Sequence, residues 1–171
     1  MTVERTLPPA ARQDLEAAQG EYAYLGFLTI RHSRLDAPLR LVSDHFRYVY
    51  DGDLYIGLPF EWTVVTDNDR PPEARLVVQN VDRRIGRALR QLNERAQLSL
   101  VILSSGDFDL SQDPRQEIGT AAIVYAYAHF ELSGIEANVI EVSGRVELYD
   151  PSSEPFPVVR ATEDRCPGLF R

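Results

Sequence analysis

A chain of 171 residues, 44% hydrophobic and 26% charged, is long enough for one domain with a sizeable core and has the composition of an ordinary globular protein. Its formal net charge of -8 and pI of about 4.9 argue against a general nucleic-acid binder, which needs a basic surplus to displace counterions. One cysteine, Cys166, excludes an internal disulfide and any metal site built from several thiolates of one chain.

The opening MTVERTLPPAARQ carries no apolar signal core, and no apolar run approaches the roughly 18 residues of a membrane span. Synthesis and folding in a cytosol are therefore expected, with no membrane partner. Pro9 to Gln19 predicts a short helix, with proline at its start and Gly20 as a stop; it is too short to stand without a packing partner. Tyr22 to His32 predicts a strand rich in aromatic and branched residues, and LRLVSD begins the next. HFRYVY and DLYIGLPFEW then form the clearest hairpin signal, because Asp51-Gly52 between them tolerates the positive φ angles of a tight turn. Leu54, Ile56, Leu58 and Phe60 share one face of the second arm, and Pro59, unable to donate to a ladder, places that end at an edge or out of the sheet.

Glu73 to Leu103 predicts a strand, a helix and a strand with almost no loop between them. Ala74, Leu76 and Val78 alternate with polar or outward positions. Asp82 is a helix N-cap, and Ile85, Ala88, Leu89 and Leu92 form an apolar stripe opposite Arg83, Arg84, Arg87 and Arg90. Leu98 to Leu103 is apolar on both faces, which implies burial on both sides or an interface. The long polar segment from Ser104 to Gly119 is of the length at which a loop is usually functional or mobile. Thr120 to Leu132 predicts a strand, with Ile123, Tyr125 and Tyr127 on one face and Val124, Ala126, Ala128 and Phe130 on the other, although its alanines leave helix open. Val139 to Tyr149 predicts a cleaner strand, with Ile140, Val142, Val146 and Leu148 together. The last stretch holds four prolines and scattered apolar residues, an extended arm that orders only if something receives Phe156, Val158, Leu169 and Phe170. The expected architecture is mainly β (α+β): a barrel- or sandwich-like domain over residues 21–150 with one short helix packed on it, an N-terminal arm and helix over 1–20, and a C-terminal arm over 151–171.

Catalysis finds little support. His32, His45 and His129 are far apart, and none is flanked by a nucleophile motif. Ser43-Asp44-His45 has the residue types of a hydrolase triad, but neighbours on a strand point to opposite faces and cannot form the relay. Asp107, Asp109, Ser111 and Asp113 resemble the opening of a calcium loop, yet Gln112 stands where the turn glycine is needed and Ile118 where the bidentate glutamate belongs. No catalytic, cofactor-binding or metal residue is assigned. Eight tyrosines and seven phenylalanines, several on strands apolar on both faces, point instead to surfaces meant to be covered, as do the two arms.

LRLVSDHFRYVYDGDLYIGLPFEW, then PPEARLVVQNVDRRIGRALRQL, then EPFPVVRATEDRCPGLF, in this order, carry a resemblance. The chain resembles a small family of uncharacterised tail proteins from long, non-contractile-tailed bacteriophages and prophages, a domain of unknown function. The likeness covers roughly residues 20 to 171. It implies a structural subunit of the tail tip, a distal tail or upper hub protein made in the host cytoplasm and ending in the virion. Its implied partners are further copies of itself in a ring, the tail tube or distal tail protein, the tape-measure protein and the central hub or host-specificity protein. Some hub proteins of this kind hold a cysteine-ligated iron–sulfur cluster, which Cys166 alone could not. Expected interface residues are Phe156, Val158, Leu169 and Phe170 of the arm, with Arg83 and Arg87 of the helix. Two other readings stand beside this one: a small β-domain hydrolase or ligand-binding protein using His45 or His129 in a cleft, and a nucleic-acid module using the helix arginines.

Overall fold

The computed structural model describes residues 8–17, 20–62, 73–79, 95–138 and 141–148. The expected helix from Asp82 to Leu92, the loop before residue 73 and the C-terminal arm lie outside them. Helix α1 (Pro9–Glu16) is followed by ten strands: β1 (Tyr24–Arg31), β2 (Leu39–Val42), β3 (Tyr48–Tyr50), β4 (Asp53–Gly57), β5 (Phe60–Trp62), β6 (Glu73–Gln79), β7 (Ala96–Ser104), β8 (Arg115–Gln116), β9 (Tyr125–Ala137) and β10 (Glu141–Leu148). They form one mixed sheet in the order β5-β6-β10-β9-β7-β1-β2-β4-β3-β8, so the expected mainly β domain is what the chain builds. Neighbours are antiparallel except β2 with β4 and β3 with β8.

The sheet curls far enough to bring Phe60 of β5 back to Gly26 of β1, and two local devices favour the bend. Between Leu98 and Leu100 of β7 the partners on β9 are Phe130 and Tyr127, three residues apart rather than two. Between Ser143 and Arg145 of β10 the partners are Glu136 and Ser133, again three apart, with Gly134 at φ +57 in the extra step. Each is a bulge in β9, and a bulge bends its strand and raises the local twist. The first also corrects the expected faces of β9. Tyr127 and Phe130, opposite in parity, pack against the same core because the extra residue resets the alternation. Residues 120–124 are not strand either: the Ala121 amide donates to Glu117 Oε1 (2.6 Å) and the Ala122 amide to Asp107 Oδ2 (3.1 Å), so neither is free for a ladder.

Pro59 has the consequence its missing N–H requires. The stretch 53–62 breaks at Leu58-Pro59; its first half pairs with β2 and its second with β6. One bent segment thereby serves both ends of the curl, and the Phe60 ring of β5 comes back against Gly26 of β1. A Cβ at Gly26 would lie 3.2 Å from that ring.

Two cores follow, one on each face of β1, β2 and β7. The inner core holds Leu28, Ile30, Leu41, Leu76, Val78, Leu98, Leu100, Leu132, Val142 and Val146, with Phe60 and Trp62 packed against it. The outer core is aromatic: Phe27 stacks on Phe108 at 5.4 Å between centroids, and meets Tyr48 and Tyr55 edge-on at 5.7 and 5.1 Å. Leu25, Val42 and Leu103 complete it. The two apolar faces of β7 are therefore both covered within the chain. Of the two expected alternatives, burial on both sides or an interface, the strand takes the first: Leu98 and Leu100 face inward, while Leu103 lies under the aromatic layer.

The polar segment after β7 supplies that cover. A 3₁₀ turn (Ser105–Asp107) delivers Phe108, which is buried, and Phe108 bridges to Glu117 before β8 joins β3. Helix α1 is tethered where the Tyr24 hydroxyl donates to the Ala11 carbonyl (3.2 Å), the partner its short length requires. It stops at Glu16, short of the expected Gln19, and Leu15 stays exposed.

Candidate functional site

The six expected interface residues, Phe156, Val158, Leu169, Phe170, Arg83 and Arg87, all lie outside the described residues. The histidines are dispersed: His32 follows β1, His45 sits in the turn before β3, and His129 belongs to β9. The Ser43-Asp44-His45 triplet lies in a bend after β2 rather than on a strand, so the alternation argument does not apply there. It forms no relay for another reason. Ser43 Oγ accepts from the Gly26 amide (2.8 Å), and the Asp44 carboxylate faces Tyr48 and Arg115.

The calcium-like run is likewise engaged internally. Asp109 accepts from the Ser111 amide and hydroxyl and from the Gln112 side chain, bonds that hold its carboxyl below the usual range. Asp113 pairs with Arg47 through two bonds of 3.1 Å, which lowers the carboxyl and raises the guanidinium. Asp107 takes the Ala122 amide. These carboxylates point to three different partners and do not converge.

What the fold does assemble is a latch at the base of the β3–β4 hairpin. The Tyr48 hydroxyl donates to Asp44 Oδ2 (2.6 Å), and Arg115 Nη1 donates both to that oxygen (3.1 Å) and to the Tyr48 hydroxyl. The Arg115 guanidinium lies 3.9 Å over the Phe46 ring, a cation–π contact, while its Nε is buried without an acceptor. Only 14% of the Arg115 side chain and 21% of that of Asp44 is exposed, so the pair is shielded enough to matter. Sequence reading did not find it, because Asp44 and Arg115 are 71 positions apart and neither stands in a motif. Arg115→Met should destabilise the protein by about 2 kcal/mol, leaving Asp44 a largely buried charge with no cation and only the Tyr48 hydroxyl and the His45 amide as donors, and lower Tm by about 4–8 °C. Arg47→Ala, which removes an exposed pair, should leave Tm nearly unchanged in the same melt.

Burial, reinforced by the Asp44 carboxylate, pushes the Tyr48 phenol up to about 12, from an ordinary value of 10.0. A raised phenol means the folded state holds the proton that the unfolded chain releases. Its contribution is present in full below pH 10 and is lost as pH rises towards 12. Denaturant midpoints should therefore fall across that window, and Tyr48→Phe, which cannot ionise, should show a shallower fall.

Above the latch, the hairpin carries the inner lining of the curl out into solvent. Leu58, Ile56 and Leu54 share one face of one segment, and their exposure rises along it from 5% to 40% to 48%. Val49 stands across from Leu54 in the register, and Asp51 and Gly52, at φ 52 and 76, form the tip. Glu117 fixes that tip by accepting from the Asp51 amide (3.2 Å). A shallow groove of about 510 Å³ lies elsewhere, between α1 and residues 21–24, 104–107 and 122–124. Among the described residues its lining holds Glu21, Tyr22, Tyr24 and Asp107 but no histidine, cysteine or arginine.

A mainly β domain with an arginine-latched hairpin and an uncovered apolar row is the class of molecule these features define. The model of the domain-of-unknown-function family DUF1833 matches residues 10–161, most of the chain, and the protein belongs to that family. No curated protein matches it.

Proposed function

We propose that the protein is a structural subunit of a long-tailed bacteriophage tail tip, a distal tail or upper hub component that joins tube to tip by assembling into a ring. The observation that carries this reading is the apolar row of Leu54 and Ile56, an extension of core lining that the described part of the chain leaves bare. Burying such a row against a neighbour removes apolar area from water, the main favourable term in association. A head-to-tail contact repeated round an axis would close the ring. The resemblance of the hairpin and of the proline-rich ending to tail proteins supports the same assignment.

The hydrolase reading receives no comparable support. Among the described residues, neither His32 nor His45 makes a side-chain hydrogen bond to a carboxylate or a hydroxyl; His32 Nδ1 accepts from the Arg34 amide (3.0 Å). The proposal is tested by deleting residues 155–171 and assaying tails. A folded, soluble chain that no longer enters tails is the expected result. Normal tails built from the truncated chain would refute arm-mediated assembly.

A further inference from the structure

Resting on the ring reading, we infer that the exposed Leu54–Ile56 face of the β3–β4 hairpin, which continues the inner lining, is the receptor for the C-terminal arm of a second copy of this chain. The receptor is a strand face whose apolar side chains, Leu54 and Ile56, stand two residues apart. Residues at that spacing project to the same side about 6.5–7 Å apart. The arm carries the same spacing in Phe156 and Val158. Pro155 and Pro157 on either side of Phe156 bias such a sequence towards extended backbone, so little conformational freedom would be lost on laying it along a strand. Prolines cannot donate to a ladder, so recognition is by side chains rather than by an added strand.

Charge agrees with one direction. With Phe156 over Ile56 and Val158 over Leu54, Arg160 continues towards the hairpin tip. There Asp51 is exposed and its carboxylate has no partner among the described residues, since Glu117 binds only its amide. Asp53, beside it, pairs with Arg40 at 2.7 Å but remains 46% exposed and adds to the negative potential. Length is sufficient. The stretch from residue 149 to 171 follows β10, and a chain of that length, if fully extended at about 3.3 Å per residue, could reach about 75 Å, more than enough to cross to a neighbour. The β8 edge of the sheet is not the docking site, because the Asp109 amide already donates to the Gln116 carbonyl of β8 (2.8 Å).

The test uses the full chain with a benzophenone amino acid at position 156, assembled from a mixture of ¹⁴N- and ¹⁵N-labelled copies and irradiated. The inference predicts cross-links to the fragment holding Leu54 and Ile56, between chains of different isotope. Leu54→Asp and Ile56→Asp, both at exposed positions, should abolish these cross-links, while the near-ultraviolet circular dichroism stays unchanged. Cross-links confined to one copy, or directed to another fragment, would overturn it. The native mass, measured on the same sample, separates the two levels of the argument. A multi-copy assembly with cross-links elsewhere removes the receptor assignment alone, whereas a monomer without cross-links removes the ring reading together with it.

Discussion

Phe27→Ala should lower the unfolding free energy by about 4 kcal/mol and Tm by about 8–16 °C, the largest loss expected from a single truncation here. Phe27 is buried at the centre of the outer core, and its ring touches those of Tyr48, Tyr50, Tyr55 and Phe108. Removing it deletes one ring and leaves four with a void, in a layer pinned on both sides. Thr29 and Tyr55 share a hydrogen bond of 3.1 Å on one side, and the Arg115 latch holds Tyr48 on the other. Those ties limit collapse, and a cavity that cannot collapse is the costly kind. Because Phe108 would lose its stacking partner, the segment from Ser105 to Ile118 should open more often. Amide exchange there should accelerate in Phe27→Ala more than in β9 or β10. Uniform acceleration across the sheet would show that the outer layer is no separate unit.

Gly57→Ala should be almost as damaging, at about 3 kcal/mol, though it adds one methyl group to a surface-proximal strand end. A Cβ at that position would stand 2.4 Å from the Phe46 carbonyl oxygen and 2.6 Å from the His45 carbonyl. These are backbone atoms, and no rotamer change relieves the overlap. The turn from Ser43 to Arg47 would have to move, taking Asp44 out of reach of Tyr48 and Arg115. Chemical denaturation of Gly57→Ala and of Gly57→Ala combined with Arg115→Met should then give losses that are less than additive, because the first change already breaks what the second removes. Full additivity would contradict the link between the close approach and the latch.

The parts of this fold that could be read from residues are those whose physics is local. Asp51-Gly52 demands positive φ at two successive positions, a requirement only a few residue types meet, and the hairpin is where it was expected. Pro59 lacks an N–H, and the strand breaks beside it. The faces of β9 could not be read, because two bulges reset the alternation and a bulge is a property of paired strands, not of one. Phe108 was hidden in a polar run, where a lone large aromatic was the only available sign of an anchor. The shared face of Leu54, Ile56 and Leu58 was legible from alternation. That two of the three would be bare depends on where the curl ends, which no window of sequence contains. The Asp44–Tyr48–Arg115 latch was illegible for the same reason, since its members meet only once the sheet has closed over them.

That this chain is made to be covered by its own kind is tested most directly by the native mass of the purified full-length protein. Native mass spectrometry or light scattering over a range of concentrations should find a closed multi-copy species, and Ile56→Asp should return it to single chains without unfolding. A protein that stays a single chain at every concentration, and is absent from assembled tails, would contradict it.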